Sequence, residues 1–536
     1  MTVNASRLPA RRSQSRLWIV LGTTIFYFYV LATASEGLTV AAALAFGFQL
    51  LCLAGALMIA ARHSGTHGLR VSDPLLLVLL WSFLYLVLPS VFWLQGAVIL
   101  RSYYITYDAW FSLQWLHGLF ILGFVGGYLL ICPAPNFQAN VAPARLASGW
   151  WLFLLTVIPM LVTVFLRVAS GGGALPEVSY GETWYSGQSG IQTAQAQGGI
   201  AYLLTQFMSK LWFYPILIQS VGLGLIMSNW ILKGRSWMFV LGFAGVITMA
   251  NQLLSGSTRS SAIIVAIIAV ILVDLLARPI PFSIMAIAMV VGLFLFDLLS
   301  VVRQAPFSQL MSYLPIAVEK YFSPTFPRLG EFGLMLSKEA LMLQLVQTQG
   351  GPNPMHLLQN ILFVVPSQLN PLKLNWTFTG DLLSREMLGE AYYLGAGVAG
   401  SIVGDGLRIN GWFGVFLLAV LLGLLVGTVQ RWAMGGRGLP RGTNLLRICL
   451  WAGFLGWTFN FIRSDLGSLL TILIYYVVLP WYVVHLFPVR QTWKWLAPLI
   501  QRSKEIDRYK RKIGLHPPGM NTPSRPSTTE IEHGEG

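Results

Sequence analysis

The chain alternates between long apolar runs and short polar segments. Nine runs lie before residue 302, and three more lie between residues 411 and 487. Most of them approach the roughly 20 residues that an α-helix needs to cross the hydrocarbon of a bilayer. The pattern predicts an all-α, polytopic integral membrane protein with about twelve transmembrane helices. The predicted spans are about 17–34, 38–60, 74–94, 111–131, 150–168, 200–226, 237–254, 261–276, 282–301, 411–432, 445–462 and 466–487.

The composition agrees with this class of protein. Of the 536 residues, 55% are hydrophobic and only 10% are charged, and the mean hydropathy is +0.65. These values exclude soluble globular proteins and disordered ones. The three cysteines, Cys52, Cys132 and Cys449, lie in or beside apolar runs. They indicate neither a disulfide framework nor a metal site.

The basic residues predict the topology. Much of the formal charge of +15 lies in short loops and in the segment 490–512, which favours anionic membrane lipids as partners over nucleic acid. Four arginines precede the first run, at positions 7, 11, 12 and 16, and the positive-inside rule therefore places the N-terminus in the cytoplasm. Twelve alternating spans return the C-terminus to the same side.

This topology divides the chain into five regions. The run 391–404 is too short to cross the bilayer. A full crossing would also place Arg431, Arg437 and Arg441 on the external side, against the positive-inside rule. We therefore interpret this run as re-entrant or interfacial. The regions are a basic cytoplasmic N-terminus (1–16), nine helices with an external Gly/Ser/Gln-rich loop at 169–199 (17–302), a large external segment (303–410), three helices (411–487), and a basic, then disordered cytoplasmic tail (488–536).

Arginines on the predicted external side are the first candidate site residues, because the positive-inside rule disfavours arginine there. A guanidinium group stays charged and presents a fork of donors suited to phosphate oxygens. Arg259 also opens a predicted helix, where free amides favour an anion. The alternative is that each arginine reaches lipid phosphates or pairs with an acid. The candidates for pyrophosphate binding are Arg259, Arg463, Arg303, Arg408 and Arg385.

Acids and one histidine in the external segment are the candidate bases. Glu386 and Glu390 are spaced one helical turn apart, and a carboxyl group with a raised pKa can accept a proton from a sugar hydroxyl. The alternative is an ordinary salt bridge with Arg385 or Arg408. His356 is a second possible base, although a lone histidine in an apolar amphipathic stretch is more often structural.

Several of these features together resemble a known family. They are the Gly-Ser-Thr-Arg-Ser-Ser helix start at 256–261, the large external segment before the third-last helix, the sequence Gly-Glu-Ala-Tyr-Tyr-Leu-Gly-Ala-Gly at 389–397, the sequence Gly-Trp-Phe-Gly at 411–414, and Arg463 between the last two helices. From about residue 251 to 487 the chain resembles the O-antigen polymerases of the oligosaccharide repeat unit type.

The resemblance implies a metal-independent, GT-C-like glycosyltransferase in the bacterial inner membrane that needs no cofactor. Its substrates would be undecaprenyl pyrophosphate-linked oligosaccharides, and a chain-length regulator protein is a possible partner. By matching position, Arg259 and Arg463 would hold pyrophosphate first, and then Arg303 and Arg408. The resemblance assigns no general base; Glu390 is a candidate from its local Gly-Glu-Ala-Tyr context alone.

Two other functions stay open. An O-antigen ligase would differ only in its acceptor. A flippase or transporter of lipid-linked sugars should carry polar residues along the middle of several spans and an internal repeat. Lys210 and Asp297 stand out as charges well inside predicted spans, and no repeat is evident. A non-catalytic scaffold would leave the external arginines unexplained.

Overall fold

A computed structural model describes most of the membrane bundle. It covers residues 9–34, 38–63, 70–97, 101–132, 222–255, 259–278, 310–323, 329–365, 376–389, 400–434, 443–458 and 460–474, together with isolated positions between them. The described residues belong to one compact unit, which lies within residues 1–480. Predictions that concern Lys210, Asp297, Arg303, Glu390, the loop 169–199, the tail 488–536 and most of the run 391–404 lie outside the described residues.

Helices make up the regular structure. No strand occurs in these ranges, so the all-α prediction is confirmed for this part of the chain. The helices are α1 (Pro9–Thr33), α2 (Val40–His63), α3 (Pro74–Ser82), α4 (Leu88–Leu94), α5 (Tyr107–Ile131), α6 (Gly222–Leu232), α7 (Trp237–Ser255), α8 (Arg259–Leu276), α9 (Leu310–Phe322), α10 (Gly330–Thr348), α11 (Met355–Leu362), α12 (Thr379–Leu388), α13 (Ile402–Met434), α14 (Thr443–Gly456), α15 (Asn460–Arg463) and α16 (Leu466–Leu473).

Four helical stretches within the described ranges are long and apolar enough to cross a membrane. They are Val40–Arg62, Pro74–Leu94, Tyr107–Ile131 and Ile402–Ala433. The second combines α3 and α4 through a π-helical turn at Phe83–Val87. These stretches agree with four of the predicted spans, and they are typical of a membrane protein. The total of twelve spans and the sidedness stay predictions.

Helix α13 reverses direction near its beginning. Its backbone leaves the helical region at Asn410 and at Gly411, where a φ of 59° favours glycine. The short arm, residues 402–409, therefore folds back against the long arm, residues 411–434. A Cβ atom added to Gly414 would lie 2.1 Å from the carbonyl oxygen of Gly406. The long arm begins where the sequence predicted the tenth span.

Glycines also bring α5 and the long arm into backbone contact. A Cβ atom at Gly127 would lie 2.1 Å from the carbonyl oxygen of Val420, and one at Gly423 would lie 2.1 Å from that of Phe124. Small residues one turn apart allow such close approach between membrane helices. Gly123 contacts Phe416 while Gly127 contacts Val420, so α5 and the long arm run parallel.

Helix α10 lies inside the bundle, although it belongs to the segment 303–410 that the sequence places outside the membrane. Leu336, Glu339 and Ala340 are fully buried. The carboxylate of Glu339 lies 2.7 Å from Nε2 of His117, which is near the middle of α5. The sequence predicted no internal helix here, because charged residues interrupt the apolar pattern.

A buried ion pair ties the chain together near the start of α3. Nε of Arg70 lies 3.4 Å from Oδ2 of Asp274, near the end of α8. The same carboxylate accepts hydrogen bonds from Oγ of Ser72 at 2.5 Å and from the backbone N–H of Ile280 at 2.7 Å. Several donors offset the cost of burying its charge.

The contact between α5 and the long arm generates a stability prediction. Gly127→Ala places a methyl group against the backbone of Val420, so we expect a loss of about 1–3 kcal/mol, the usual cost of overpacking. Gly126→Ala is the matched control, because a Cβ atom there meets nothing within 4 Å. Thermal unfolding of the purified protein in detergent measures both variants, and equal melting temperatures would contradict the packing described.

Candidate functional site

Polar side chains from four segments meet beside the reversal of α13. The segments are α11, α12, the short arm of α13, and the turn between α15 and α16. We call His356, Thr379, Asp405, Arg408 and Asp465 the polar cluster. Each segment is short, and none of them forms the cluster alone.

Arg408 is the cation at the centre of the polar cluster. Its side chain is buried in the short arm of α13, with 8% of the residue exposed. Nη1 donates to the carbonyl oxygen of Thr377 at 3.1 Å and to Oγ1 of Thr379 at 3.2 Å, and Nη2 donates to Nε2 of His356 at 3.0 Å. These three neutral acceptors hold the guanidinium group in one orientation.

His356 is neutral in this arrangement. Because Nε2 accepts from Arg408, the ring proton lies on Nδ1, which donates to Oε1 of Gln359 at 2.8 Å. Burial and the neighbouring guanidinium group both lower the pKa of His356. The lone pair of Nε2 is therefore occupied, and His356 becomes available as a base only when Arg408 turns away.

Asp405 is a buried carboxylate that joins three segments. It accepts hydrogen bonds from Oγ1 of Thr379 on α12 and from the backbone N–H of Leu466 at the start of α16. Thr379 therefore donates to Asp405 and accepts from Arg408. In the sequence, this acid is marked only weakly, by its place in the Gly-Asp-Gly-Leu-Arg stretch at 404–408.

The turn after α15 brings a second arginine to this region. Arg463 is the last residue of α15 and is half-buried. Two residues later, Asp465 caps α16 by accepting from the backbone N–H of Ser468 at 2.7 Å. Gly400 packs against Asp465, because a Cβ atom there would lie 2.7 Å from the aspartate Cβ. Two candidate arginines, Arg408 and Arg463, thus lie on segments that touch.

Helix α12 carries the acids nearest to the polar cluster. Arg385 and Glu386 are exposed on its last turns, and the backbone carbonyl of Glu386 accepts from Oη of Tyr104 at 3.0 Å. Asp381, on the first turn, differs from Glu386 in its surroundings. Partial burial and then the negative charge of Asp465 raise the pKa of Asp381. A raised pKa is one of the properties that a general base requires.

Other candidate residues are not placed in the site. Arg259 begins α8, but its side chain lies outside the described part of the structure, as Arg303 and Glu390 do entirely. Among the side chains that the structure describes, no group of three or more His, Cys, Asp or Glu is arranged to hold a metal ion. Metal-independent chemistry stays a prediction.

An apolar cavity of about 310 Å³ lies beside the polar cluster. Leu357 follows His356 in the chain, Ile402 lies one turn before Asp405, and the N–H of Leu466 donates to Asp405. The cavity and the cluster therefore share α11, α16 and the short arm. The lining side chains are Leu357, Ile361, Ile402, Leu418, Leu421, Leu422, Leu425, Phe454, Trp457, Phe461, Leu466, Leu469, Leu470 and Leu473.

Comparisons of the chain with protein-family models, with curated proteins and with solved structures give no match. The functional proposal below therefore depends on the site and on the resemblance of the motifs.

The contact between His356 and Arg408 predicts a pH dependence of stability. The folded state lowers the pKa of His356, so its contribution is present above the ordinary value of about 6.5 and is lost as the pH falls below it. We expect the melting temperature to fall as the pH drops below about 6.5. His356→Gln retains an acceptor but does not titrate. If this variant shows the same pH dependence as the unmodified protein, the assignment is wrong.

Proposed function

We propose that this chain is a membrane glycosyltransferase that joins undecaprenyl pyrophosphate-linked oligosaccharide repeat units at the outer face of the bacterial inner membrane. The product would be O-antigen, capsule or exopolysaccharide. The observation that carries the proposal is the polar cluster beside the apolar cavity. The motif resemblance supplies the substrate class, and the twelve-span, GT-C-like architecture with both termini in the cytoplasm belongs to the same proposal.

The cavity and the polar cluster together suit an amphipathic ligand. Fourteen apolar side chains line the cavity, and its volume is at the lower end of the roughly 300–1,000 Å³ typical of ligand sites. A section of polyprenyl chain fits this chemistry, because apolar burial contributes about 0.8 kcal/mol for each methylene group. The head of the same molecule would then lie toward Arg408 in the polar cluster, which shares the short arm of α13 with the cavity lining.

Arg408 has the chemistry required for a pyrophosphate head group. Its guanidinium group donates hydrogen bonds to a carbonyl, a hydroxyl and an imidazole. These neutral groups set its orientation. Charge-assisted bonds from a guanidinium to phosphate oxygens are strong and bidentate. A preorganised cation also stabilises the negative charge that develops on the leaving pyrophosphate.

In the proposed reaction a hydroxyl group of the acceptor sugar attacks the anomeric carbon of the donor. The bond from that carbon to the pyrophosphate oxygen breaks, undecaprenyl pyrophosphate leaves, and the hydroxyl proton passes to a base. Asp381 suits this role because it is accessible and has a raised pKa. His356 suits it once Arg408 binds phosphate instead, while Glu386 and Glu390 stay predictions. Such a base contributes about 100-fold or more.

A transporter of lipid-linked sugars is the second candidate, and one observation favours it. His117 and Glu339 form a fully buried pair within the bundle. Ionisable residues at this depth are rare and often lie on substrate or proton pathways. A ligase would use the same donor chemistry with a different acceptor.

The assignment of Arg408 is tested in cells that depend on this chain for their polysaccharide. We expect Arg408→Gln to shorten the glycan ladder and to leave single lipid-linked repeat units on the outer leaflet, since loss of one such charge costs about 100-fold in turnover. Arg62→Gln, at an exposed arginine at the end of α2, is the control. Arg463→Gln and Arg259→Gln extend the series.

The glycan analysis separates the candidate functions. An unchanged ladder from well-expressed Arg408→Gln contradicts the glycosyltransferase proposal. Repeat units that accumulate on the inner leaflet favour the transporter, and complete polymer that is not transferred to its final acceptor favours the ligase.

The cavity is tested separately by filling it. Leu421 lines the cavity at its partly exposed side, and Leu417, one turn earlier on the same helix, is exposed outside it. Leu421→Trp should weaken retention of undecaprenyl pyrophosphate in nanodiscs about tenfold, which corresponds to about two displaced methylene groups. Native mass spectrometry measures the bound lipid. Equal retention by Leu421→Trp and Leu417→Trp would show that the polyprenyl chain binds elsewhere.

A further inference from the structure

A buried carboxylate connects the interior of the bundle with the polar cluster. Glu339 is on α10 and has no exposed surface. Its Oε2 lies 2.7 Å from Nε2 of His117 on α5, and its Oε1 accepts from Oγ of Ser401 at 2.9 Å. One side chain therefore binds a membrane-spanning helix with one oxygen and the residue just before α13 with the other.

The histidine in this connection is itself held in place. Nδ1 of His117 lies 3.2 Å from Nε2 of Gln49 on α2, and both residues are fully buried. With the amide N–H₂ of Gln49 as donor, the ring proton of His117 lies on Nε2 and is donated to Glu339. Helices α2, α5 and α10 thus contribute to one hydrogen-bonded chain that ends at Ser401.

Ser401 determines where the short arm of α13 begins. Its carbonyl oxygen accepts the backbone N–H of Asp405 at 2.9 Å, which is the first helical bond of the arm. Arg408 follows Asp405 by three residues on the same two turns. A Cβ atom added to Gly404, which lies between Ser401 and Asp405, would be 3.3 Å from Met342 of α10 and 3.3 Å from Thr379. The arm therefore has little room to shift while Ser401 is held.

Packing alone does not explain a carboxylate at this position. An ionised group taken out of water costs several kcal/mol, and only close, well-oriented partners offset that cost. An apolar side chain would fill the same space without the penalty. What an apolar residue does not supply is a pair of acceptors that bind His117 and Ser401 at once.

We propose that Glu339 is a positioning residue that acts through Ser401 to hold Asp405 and Arg408 in their working places. His117 and Gln49 fix the direction of its carboxylate. The catalytic consequence of this inference rests on the glycosyltransferase function proposed above, whereas its structural consequence does not. Loss of Glu339 or of the Ser401 hydroxyl lets the short arm move relative to α11 and α16.

Two backbone amides report the position of the short arm directly. The N–H of Leu466 donates to the side chain of Asp405, and the N–H of Asn353 donates to the carbonyl oxygen of Arg408 at 2.6 Å. Hydrogen-exchange mass spectrometry of the full chain in nanodiscs follows the peptides that contain these amides. Ser401→Ala removes the bond from Oγ to Glu339 and also the longer, 3.4 Å bond that Oγ accepts from the backbone N–H of Gly404. Each lost hydrogen bond should raise the exchange rates about fivefold.

The variants are Ser401→Ala and Glu339→Gln, with Ser90→Ala as the matched control. Ser90 is also a buried serine with two hydrogen bonds, from its Oγ to Leu86 and from Gln114 to its Oγ, and it does not contact the polar cluster. Ser401→Ala keeps the test informative if Glu339→Gln does not fold. Faster exchange in both reporting peptides of Ser401→Ala, with Ser90→Ala unchanged, supports the inference.

Turnover of lipid-linked repeat units provides the second readout. Positioning predicts that kcat falls about 10- to 100-fold with little change in KM, because substrate still binds but the reacting groups are displaced. The inference is overturned if Ser401→Ala exchanges at the same rates as the unmodified protein. It is also overturned if exchange rises evenly over all peptides. If exchange rises locally while the unmodified protein makes no polymer, the positioning role is supported and the glycosyltransferase proposal fails.

Discussion

Close backbone contact along α13 is the constraint on which the rest of the described structure depends. Gly406 and Gly414 let the two arms of this helix touch, and Gly423 lets the long arm touch α5. The first contact folds Asp405 and Arg408 back into the bundle instead of leaving them on an extension of the helix. The second sets the long arm against the helix that carries His117. Both contacts leave no room for a side chain, so the geometry depends on glycine.

The site combines a strongly polar cluster with an apolar cavity on the same elements. In the cluster, Thr379 links Asp405 to Arg408, and His356 completes the set of acceptors around the guanidinium group. The direct hydrogen-bond acceptors of Arg408 are neutral, and the carboxyl group of Asp405 acts on it through its charge and through Thr379 rather than by direct contact. The cavity shares α11, α16 and the short arm with the polar cluster and is lined by apolar side chains. A lipid with an anionic head has both properties, and the proposed function depends on this match.

Parts of the site were predictable from residue pattern. Arg408 and His356 were predicted because an arginine and a histidine in a segment between apolar runs need an explanation, and the structure shows them 3.0 Å apart. Glu339 and His117 were missed. A Lys-Glu pair in the predicted external segment 303–410 is typical of a solvent-exposed surface, and a single histidine within a predicted span forms no recognisable motif. Thr379 was missed as well, because a hydroxyl gains its role only from the groups brought beside it.

The sequence by itself determined the class of protein, the positions of the four described membrane-length helices, and the start of the tenth span near Gly411. These follow from local properties, namely the length of apolar runs and the cost of burying charge. The reversal of α13 at Asn410 and Gly411 was not predicted and came from the tertiary structure. Only the tertiary structure decided that α10 enters the bundle, that Ser401 binds Glu339, and that the turn at Asp465 meets the short arm. These contacts join residues 60 or more positions apart, and no local pattern specifies which distant acceptor a buried donor will find.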